Sequence, residues 1–338
     1  MQNKFYTFCL MISLCLTGRA QQGYMPPYPF EVGVNIGTTM FLGDLGGESG
    51  IGVPFLRDTD FSTIRPAIGI FGRWNLGTYF SLRADLSYLS VNGDDKYAGK
   101  GAGEYSPTDI TRGGSDAAWF RWYRNLNFRS TIFEASVAAE LIPYNFELGG
   151  GYEGYSVLSP YGFVGVGFFT FNPQGLYKGT WVDLKPLSTE GQGLVDGKEP
   201  YSLTQLNIPF GFGLKWNYND QWALALEVNH RMTFTDYIDD VSTFYVNPKI
   251  FTDNMPPAQA EMATAMARRS VEIDEFSING AVSSPNEQRG DPKDNDSFYT
   301  ITVRFSYYFD PGFGVVGGPG FGGGGKGGGG RRYNCPVW

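Results

Sequence analysis

The chain has 338 residues, 16% aromatic and only 18% charged, with 47 glycines and 26 basic against 34 acidic side chains. The net charge of −8 argues against a general nucleic-acid binder. Aromatic and glycine contents this high also set it apart from an ordinary soluble enzyme.

The first twenty residues, MQNKFYTFCLMISLCLTGRA, read as a secretory signal. Lys4 supplies the positive start, Phe5 to Leu16 the apolar run, and Gly18-Arg19-Ala20 a small-residue cleavage site. The run is too short to span a membrane as a helix. Ile12-Ser13-Leu14 lacks the small residue a lipoprotein signal places before its cysteine, so cleavage ahead of Gln21 is expected. That step removes Cys9, Cys15, Lys4 and Arg19. It leaves Cys335 as the single thiol and 24 basic against 34 acidic residues, a net charge of −10.

Downstream, alternation of period two dominates, the mark of strands with two unlike faces. Strands are expected at 30–41, 66–76, 79–91, 126–144, 159–172, 206–218, 222–234 and 297–309. In the third, Phe80, Leu82, Ala84, Leu86 and Tyr88 oppose Ser81, Arg83, Asp85 and Ser87. In the sixth, Leu206, Ile208, Phe210, Phe212, Leu214 and Trp216 oppose Asn207, Pro209, Gly211, Gly213 and Lys215. In the eighth, Ile301, Val303 and Phe305 oppose Thr302, Arg304 and Ser306. The fifth carries apolar or glycine residues on both faces, and alternation leaves its faces unassigned.

The connections alternate in length. Long segments (42–65, 92–125, 173–204, 235–296) are separated by the tight turns Leu76-Gly77-Thr78 and Tyr218-Asn219-Asp220 and the medium segment 145–158. Each strand has the ~9–11 residues a tilted membrane strand needs. The expectation is an all-β fold: an eight-stranded antiparallel up-and-down transmembrane β-barrel. It would have short periplasmic turns, long extracellular loops and both termini in the periplasm of a Gram-negative outer membrane.

A soluble sandwich also alternates, but its outer face is polar. Here the face opposite the apolar one carries Glu31, Arg73, Arg83, Asp85, Glu134, Glu140, Lys215, Glu227, Arg231 and Arg304. A dry core packed with those groups is costly unless every charge is paired. Turning the apolar face to lipid and the charges to the lumen removes the difficulty. Trp74, Trp216, Tyr218 and Trp222 flank the tight turns, as an interfacial aromatic girdle does. An eight-stranded barrel is just wide enough for side chains to fill. Five acids and five bases suit a salt-bridged filling, not the single-sign ring of an ion-selective pore.

No catalytic or cofactor-binding residues are expected. His230, the only histidine, falls on the lipid face without a serine beside it to act as nucleophile. No cysteine or histidine pair offers a zinc site. Asp291, Asp294 and Asp296 lack the spacing of a calcium loop and read as a solvated acidic loop. Residues 254–271 contain helix formers after two prolines, so a short loop helix is expected. Around it Tyr237, Asp239, Asp240, Tyr245 and Phe251 mix aromatics with acids, an extended surface expected to bind a partner or shield the barrel rather than do chemistry.

After Phe309 the chain continues for 29 residues, with Lys326, Arg331 and Arg332 and no acid after Asp310. The organisation is then signal 1–20, barrel 21–310 and a flexible Gly-rich periplasmic tail 311–338. As random coil, 311–334 has an end-to-end distance of about 27 Å; stretched, it reaches roughly 80 Å. Tyr333, Pro336, Val337 and Trp338 form an anchor of the kind that dominates interfaces. A lone exported cysteine, Cys335, suggests an intermolecular disulfide or a reactive thiol. Arg331, Arg332, Tyr333, Cys335, Pro336 and Trp338 are therefore the expected partner-binding residues.

FEVGVNIGTTMFLGDLGG, and LNIPFGFGLKWNYNDQWALALEVNHRMTFTDYIDDVSTFYVNP later on, resemble PorG-type proteins. GDLGG and TDYIDDVS are the most distinctive pieces, within a similarity running from Phe30 to Phe309. PorG is the outer-membrane barrel subunit of type IX secretion systems. The resemblance implies a non-enzymatic role: tethering a periplasmic ring of PorK, a lipoprotein, and PorN. Through the tail, with Cys335 cross-linked to or docked beside the ring lipoprotein, the barrel would hold that ring below the membrane. The alternatives are a generic adhesion, porin-like or lipid-modifying barrel.

Overall fold

The computed structural model describes residues 26, 28–45, 63–97, 117–148, 156–273 and 285–311. The expected signal, and the tail beyond residue 311 with all six of its expected partner-binding residues, lie outside them.

Ten strands are present: β1 (Phe30–Leu42), β2 (Arg65–Asn75), β3 (Phe80–Asp94), β4 (Asn127–Leu141), β5 (Phe146–Leu148), β6 (Ser156–Tyr177), β7 (Thr180–Asp183), β8 (Thr204–Asn217), β9 (Trp222–Thr233) and β10 (Ser297–Phe309). Eight of them form a closed antiparallel barrel in the order β4-β3-β2-β1-β10-β9-β8-β6, with β4 pairing β6 to close it. Each staves against its sequence neighbours, and β1 meets β10 from Phe30↔Phe309 to Leu42↔Ser297. The all-β, up-and-down barrel expected from the alternation is the fold observed.

The eight staves lie where the alternation places them, within a few residues. The largest difference is in β6, which runs for 22 residues where 14 were expected. It is lengthened at both ends by small partners, β5 pairing with 156–158 and β7 with 174–177. Both partners are short hairpin arms inside segments whose composition reads as connection.

The apolar faces point outward. Ile36, Ile70, Leu86, Phe133, Val164, Phe168, Phe212 and Leu226 are each more than half exposed. No aqueous protein of this size presents such a continuous belt, whereas a bilayer solvates it. At the turn end, Trp74, Trp216, Tyr218 and Trp222 are exposed as a ring, joined by Phe30, which stacks on Trp74. From Trp216 to Leu206 along β8 is about 33 Å of strand, which at barrel tilt covers the ~25 Å apolar band of an outer-membrane barrel.

The second tight turn is set by Asn219. Its side-chain oxygen accepts hydrogen bonds from the backbone N–H of Gln221 and Trp222 at 2.9 and 2.8 Å. This Asx geometry is why asparagine begins turns.

The unassigned faces of β6 are resolved by lumen glycines. Tyr161 and Phe163 point inward and are buried. A Cβ at Gly213 would come within 2.4 Å of the Tyr161 ring, and one at Gly211 within 2.9 Å of Phe163. Each aromatic lies over a glycine two strand faces would otherwise fill, the close approach that glycine in a strand permits. Alternation counts polarity and so misses this: the inward side of β6 is aromatic because its neighbour offers bare backbone.

The interior is layered. Near the turn end it is polar and charged. Toward the loop end the inward positions turn apolar, with Leu89, Val91, Phe128, Ile132, Phe169, Phe171 and Phe298 forming one core with Tyr201, Ile238 and Val241 of the long loops. Above the barrel, helices α1 (Ala117–Arg124), α2 (Lys249–Asn254) and α3 (Pro257–Ala267) complete a cap. The loop helix expected within 254–271 is α3, with Pro257 at its first turn, where a missing N–H costs nothing. It packs Ala260, Ala263 and Met266 on Phe251 and Leu187.

Candidate functional site

All ten charges expected in the lumen are there, and all are buried. Eight form one network of four acids and four bases. Arg73 donates to Glu31 at 2.5 Å and pairs with Glu140 at 2.6 Å. Arg83 sits among three carboxylates, with Asp85 at 2.6 Å, Glu140 at 2.5 Å and Glu227 at 2.7 Å. Arg304 joins Asp85 at 2.6 Å and Glu227 at 3.2 Å. Lys215 stands 3.5 Å from Glu31. The remaining two, Glu134 and Arg231, pair with each other at 3.0 Å nearer the loop end.

The guanidinium planes are held by rings as well as charges. Arg83 lies 4.5 Å over Phe163, and Arg304 4.5 Å over Phe71. Hydroxyls complete the shell: Tyr161 donates to Glu227 at 2.7 Å and Ser306 to Glu31 at 2.6 Å. Such a network is expensive to desolvate and adds little net stability over an apolar filling. It does specify register: a one-residue slip of any stave would turn its charges to lipid. Arg, with its planar fork, suits the multiple pairing better than lysine.

The cap is tied down by two more arginines that sequence reasoning missed. Arg124 of α1 donates twice to Asp95, at 2.7 and 2.9 Å, and also to the carbonyls of Asp44 and Arg289. Arg289 reaches Glu190 at 2.8 Å and the Asp240 carbonyl at 2.5 Å. Glu190 in turn accepts from the N–H groups of Ser242 and Thr243. All four long loops are cross-linked through these side chains. Nothing in local pattern marks them, because each is a single polar residue in a connection.

Two expectations for the loops are corrected. Asp239, Asp240, Tyr245 and Phe251 form no partner-ready surface; they are buried in a cap that shields the barrel mouth, the other role expected of them, and there Asp240 accepts from Tyr201 and Asp239 from Leu45. Asp296 is likewise fully buried, unlike exposed Asp291 and Asp294, so 291–296 is not a uniformly solvated acidic loop.

Asp44, Asp236, Asp239 and Asp296 gather beneath the cap. Burial, followed by the opposed pull of Arg124, brings the Asp44 carboxyl up to about 6. Burial lifts Asp236 to about 8, against a facing Ser242 hydroxyl. Burial and the neighbouring carboxylates raise Asp239 and Asp296 well above the ordinary range. Among the described residues, no three acid, histidine or cysteine side chains converge as a metal centre requires.

His230 lies on the outward face of β9, half-buried, its ring 5.1 Å from that of Phe210. Across the strands it is opposite Phe210 and Tyr299. A base works on a nucleophile held within hydrogen-bond reach, and the serine that would serve beside it on this face is absent, position 232 being Met. Replacing His230 with alanine is expected to leave folding unchanged, read by heat-modifiable gel mobility.

A family model described as "Outer membrane protein beta-barrel domain" matches residues 7–248. Among solved structures, Ail, the attachment invasion locus protein of Yersinia pestis, aligns over 83% of this chain and 99% of its own at 8% identity and a TM-score of 0.30. OprG from Pseudomonas aeruginosa aligns over 86% and 100% at 10% identity and 0.32. The N-terminal β-barrel domain of Pseudomonas aeruginosa OprF aligns over 82% and 96% at 8% identity and 0.27. At those scores the structural likenesses carry no argument. No curated protein matches.

Proposed function

We propose a function for a chain that belongs to the outer membrane protein beta-barrel domain family: it is a non-enzymatic anchor for a periplasmic ring of a type IX secretion machine. The loop end faces outward and both termini face the periplasm. The ring is a PorK-like lipoprotein with a PorN-like partner, engaged by the turn end of the barrel and by the tail. Residues Arg331, Arg332, Tyr333, Cys335, Pro336 and Trp338 make the contact, Cys335 by disulfide or by docking.

The observation that supports this reading is where the two most PorG-like segments lie. Asp44 and Leu45 of GDLGG pack against TDYIDDVS, and the Leu45 N–H donates to Asp239 at 3.1 Å. The resemblance therefore rests on one folded feature contributed by two distant stretches, not on strand alternation common to all barrels. The filled lumen adds to it. With ion pairs below and an aromatic core above, the surfaces and the ends are what remain to act.

A second reading, a barrel for cell-surface adhesion, is favoured by the cross-linked cap, a large ordered platform for contact.

Purification of the full chain from mild detergent separates the two. The anchor reading expects the ring subunits to co-purify with the intact protein and to be lost when 311–338 are deleted, with secretion of cargo reduced at least about tenfold. Non-reducing gels then distinguish disulfide from docking: a reductant-sensitive higher band that Cys335→Ser abolishes supports the disulfide. Retained secretion and retained partners after the deletion would discard the tail's role. Loss of host-surface binding with secretion intact on loop replacement would favour adhesion.

A further inference from the structure

We propose that Asp44, Asp236, Asp239 and Asp296 form a proton-held latch that fastens residues 43–45, at the exit of β1, to residues 235–245 and 296 over the barrel mouth. The four carboxylates come from two loops almost two hundred residues apart, and three of them tie one loop to another or fold their own. Asp239 accepts from Leu45 N–H at 3.1 Å and from Val241 N–H at 2.9 Å. Asp296 accepts from Ile238 N–H at 2.8 Å, and Asp44 from Asp291 N–H at 2.8 Å. The chain crowds onto them: a Cβ at Gly43 would lie 2.1 Å from Asp296 Oδ1, and one at Gly290 2.3 Å from Asp44 Oδ2.

These bonds leave a remainder. Asp296 is wholly buried, yet its Oδ1 has no hydrogen-bond partner; both Asp236 oxygens lack one too, the Ser242 hydroxyl facing them without reaching hydrogen-bond geometry. Buried carboxylates without donors and without a counter-charge are costly. Among the described residues, the charged groups around the cluster do not supply one. Glu190 and Asp291 add negative charge from the neighbouring loops. Arg289 is engaged by Glu190 and Asp240. Arg124 alone attracts Asp44 and Asp239, and its fork is committed to Asp95. Among the described residues the side chains do not converge on a point that a metal ion could occupy, which leaves the proton as the neutralising species. Protonation turns an orphaned acceptor into a donor that a neighbouring carboxylate can accept.

The direction follows from the raised affinities. Each carboxyl binds its proton more tightly in the closed cap than in an open one. Closure is therefore unopposed below about pH 4, the ordinary aspartate range. It weakens as pH rises through about 6 for Asp44 and about 8 for Asp236.

The test is hydrogen–deuterium exchange of the full chain in lipid vesicles at pH 5.5 and 8.5, corrected for the intrinsic pH dependence of exchange. Wild type is expected to lose protection over 43–45 and 236–245 by about tenfold or more at pH 8.5, with the barrel strands unchanged in the same sample. Asp236→Asn and Asp296→Asn should each flatten the loop response, the strand peptides reporting that the variant is folded. Equal loop protection at both pH values, or an undiminished response in both variants, overturns the latch. So does protection at pH 8.5 that calcium restores and a chelator removes, which would make the cluster a cation site.

Discussion

Replacing Arg83 with methionine is expected to destabilise the folded barrel by about 3–5 kcal/mol, the cost of breaking a buried ion pair from one side. Among the described residues Arg83 is the only base in contact with three carboxylates, Asp85, Glu140 and Glu227. Methionine keeps most of its volume over the Phe163 ring, so packing changes little and charge changes most. The variant leaves four acids facing three bases where every one of these side chains is buried. Urea titration in vesicles, read by heat-modifiable gel mobility, measures the loss as a lower midpoint at unchanged slope. Adding Glu227→Gln to the variant should recover part of it, because one of the stranded charges is then gone. An unchanged midpoint for Arg83→Met would mean that the lumen is wet enough to screen its carboxylates, and the description of a filled interior would fail.

The second large effect lies on the opposite face of the wall. Phe212 is 63% exposed and stands four residues above Trp216 on β8, about 13 Å along the strand. That places it near the midplane of the apolar band. Phe212→Arg is expected to cost about 2–4 kcal/mol in a bilayer, whereas arginine at the level of the girdle, as in Tyr218→Arg, costs about 0–1. In a water-soluble protein the same exposed phenylalanine would exchange for arginine with almost no penalty. The depth dependence is therefore a direct reading of the solvent this surface meets. Equal and small losses at both positions would contradict a membrane-spanning wall.

Both variants test faces that alternation alone assigns. Arg83 and Asp85 point one way and Leu82, Ala84 and Leu86 the other because successive strand residues point to opposite sides, a property of two neighbouring peptide units. The same local rule locates all eight staves. Aromatic residues beside the tight turns mark one interface, since an amphipathic ring prefers that boundary wherever the chain places it.

Other features depend on residues far apart in the chain. That Arg83 pairs with Glu227, 144 positions away, follows from closure of the barrel and the stagger of its strands. The inward aromatics of β6 required knowledge of the glycines they cover on β8. The switch of the lumen from charge to an apolar core at the loop end is visible as Leu89 and Val91 following Ser87 on one face of β3, but only packing with Ile238 and Val241 gives it meaning.

The loops mark the division most clearly. Asp44, Asp236, Asp239 and Asp296 look solvent-exposed as letters, because acids in connections usually are. Three of them are buried and the fourth nearly so, because Arg124, Arg289 and an aromatic core draw four loops into one cap. The amino-acid sequence by itself determined the barrel, its staves, the inner and outer faces of every stave but β6, and its girdle, since each follows from spacing between near neighbours. Tertiary structure alone decided which charges meet and how the mouth is capped, since burial and pairing are properties of residues brought together from opposite ends of the chain.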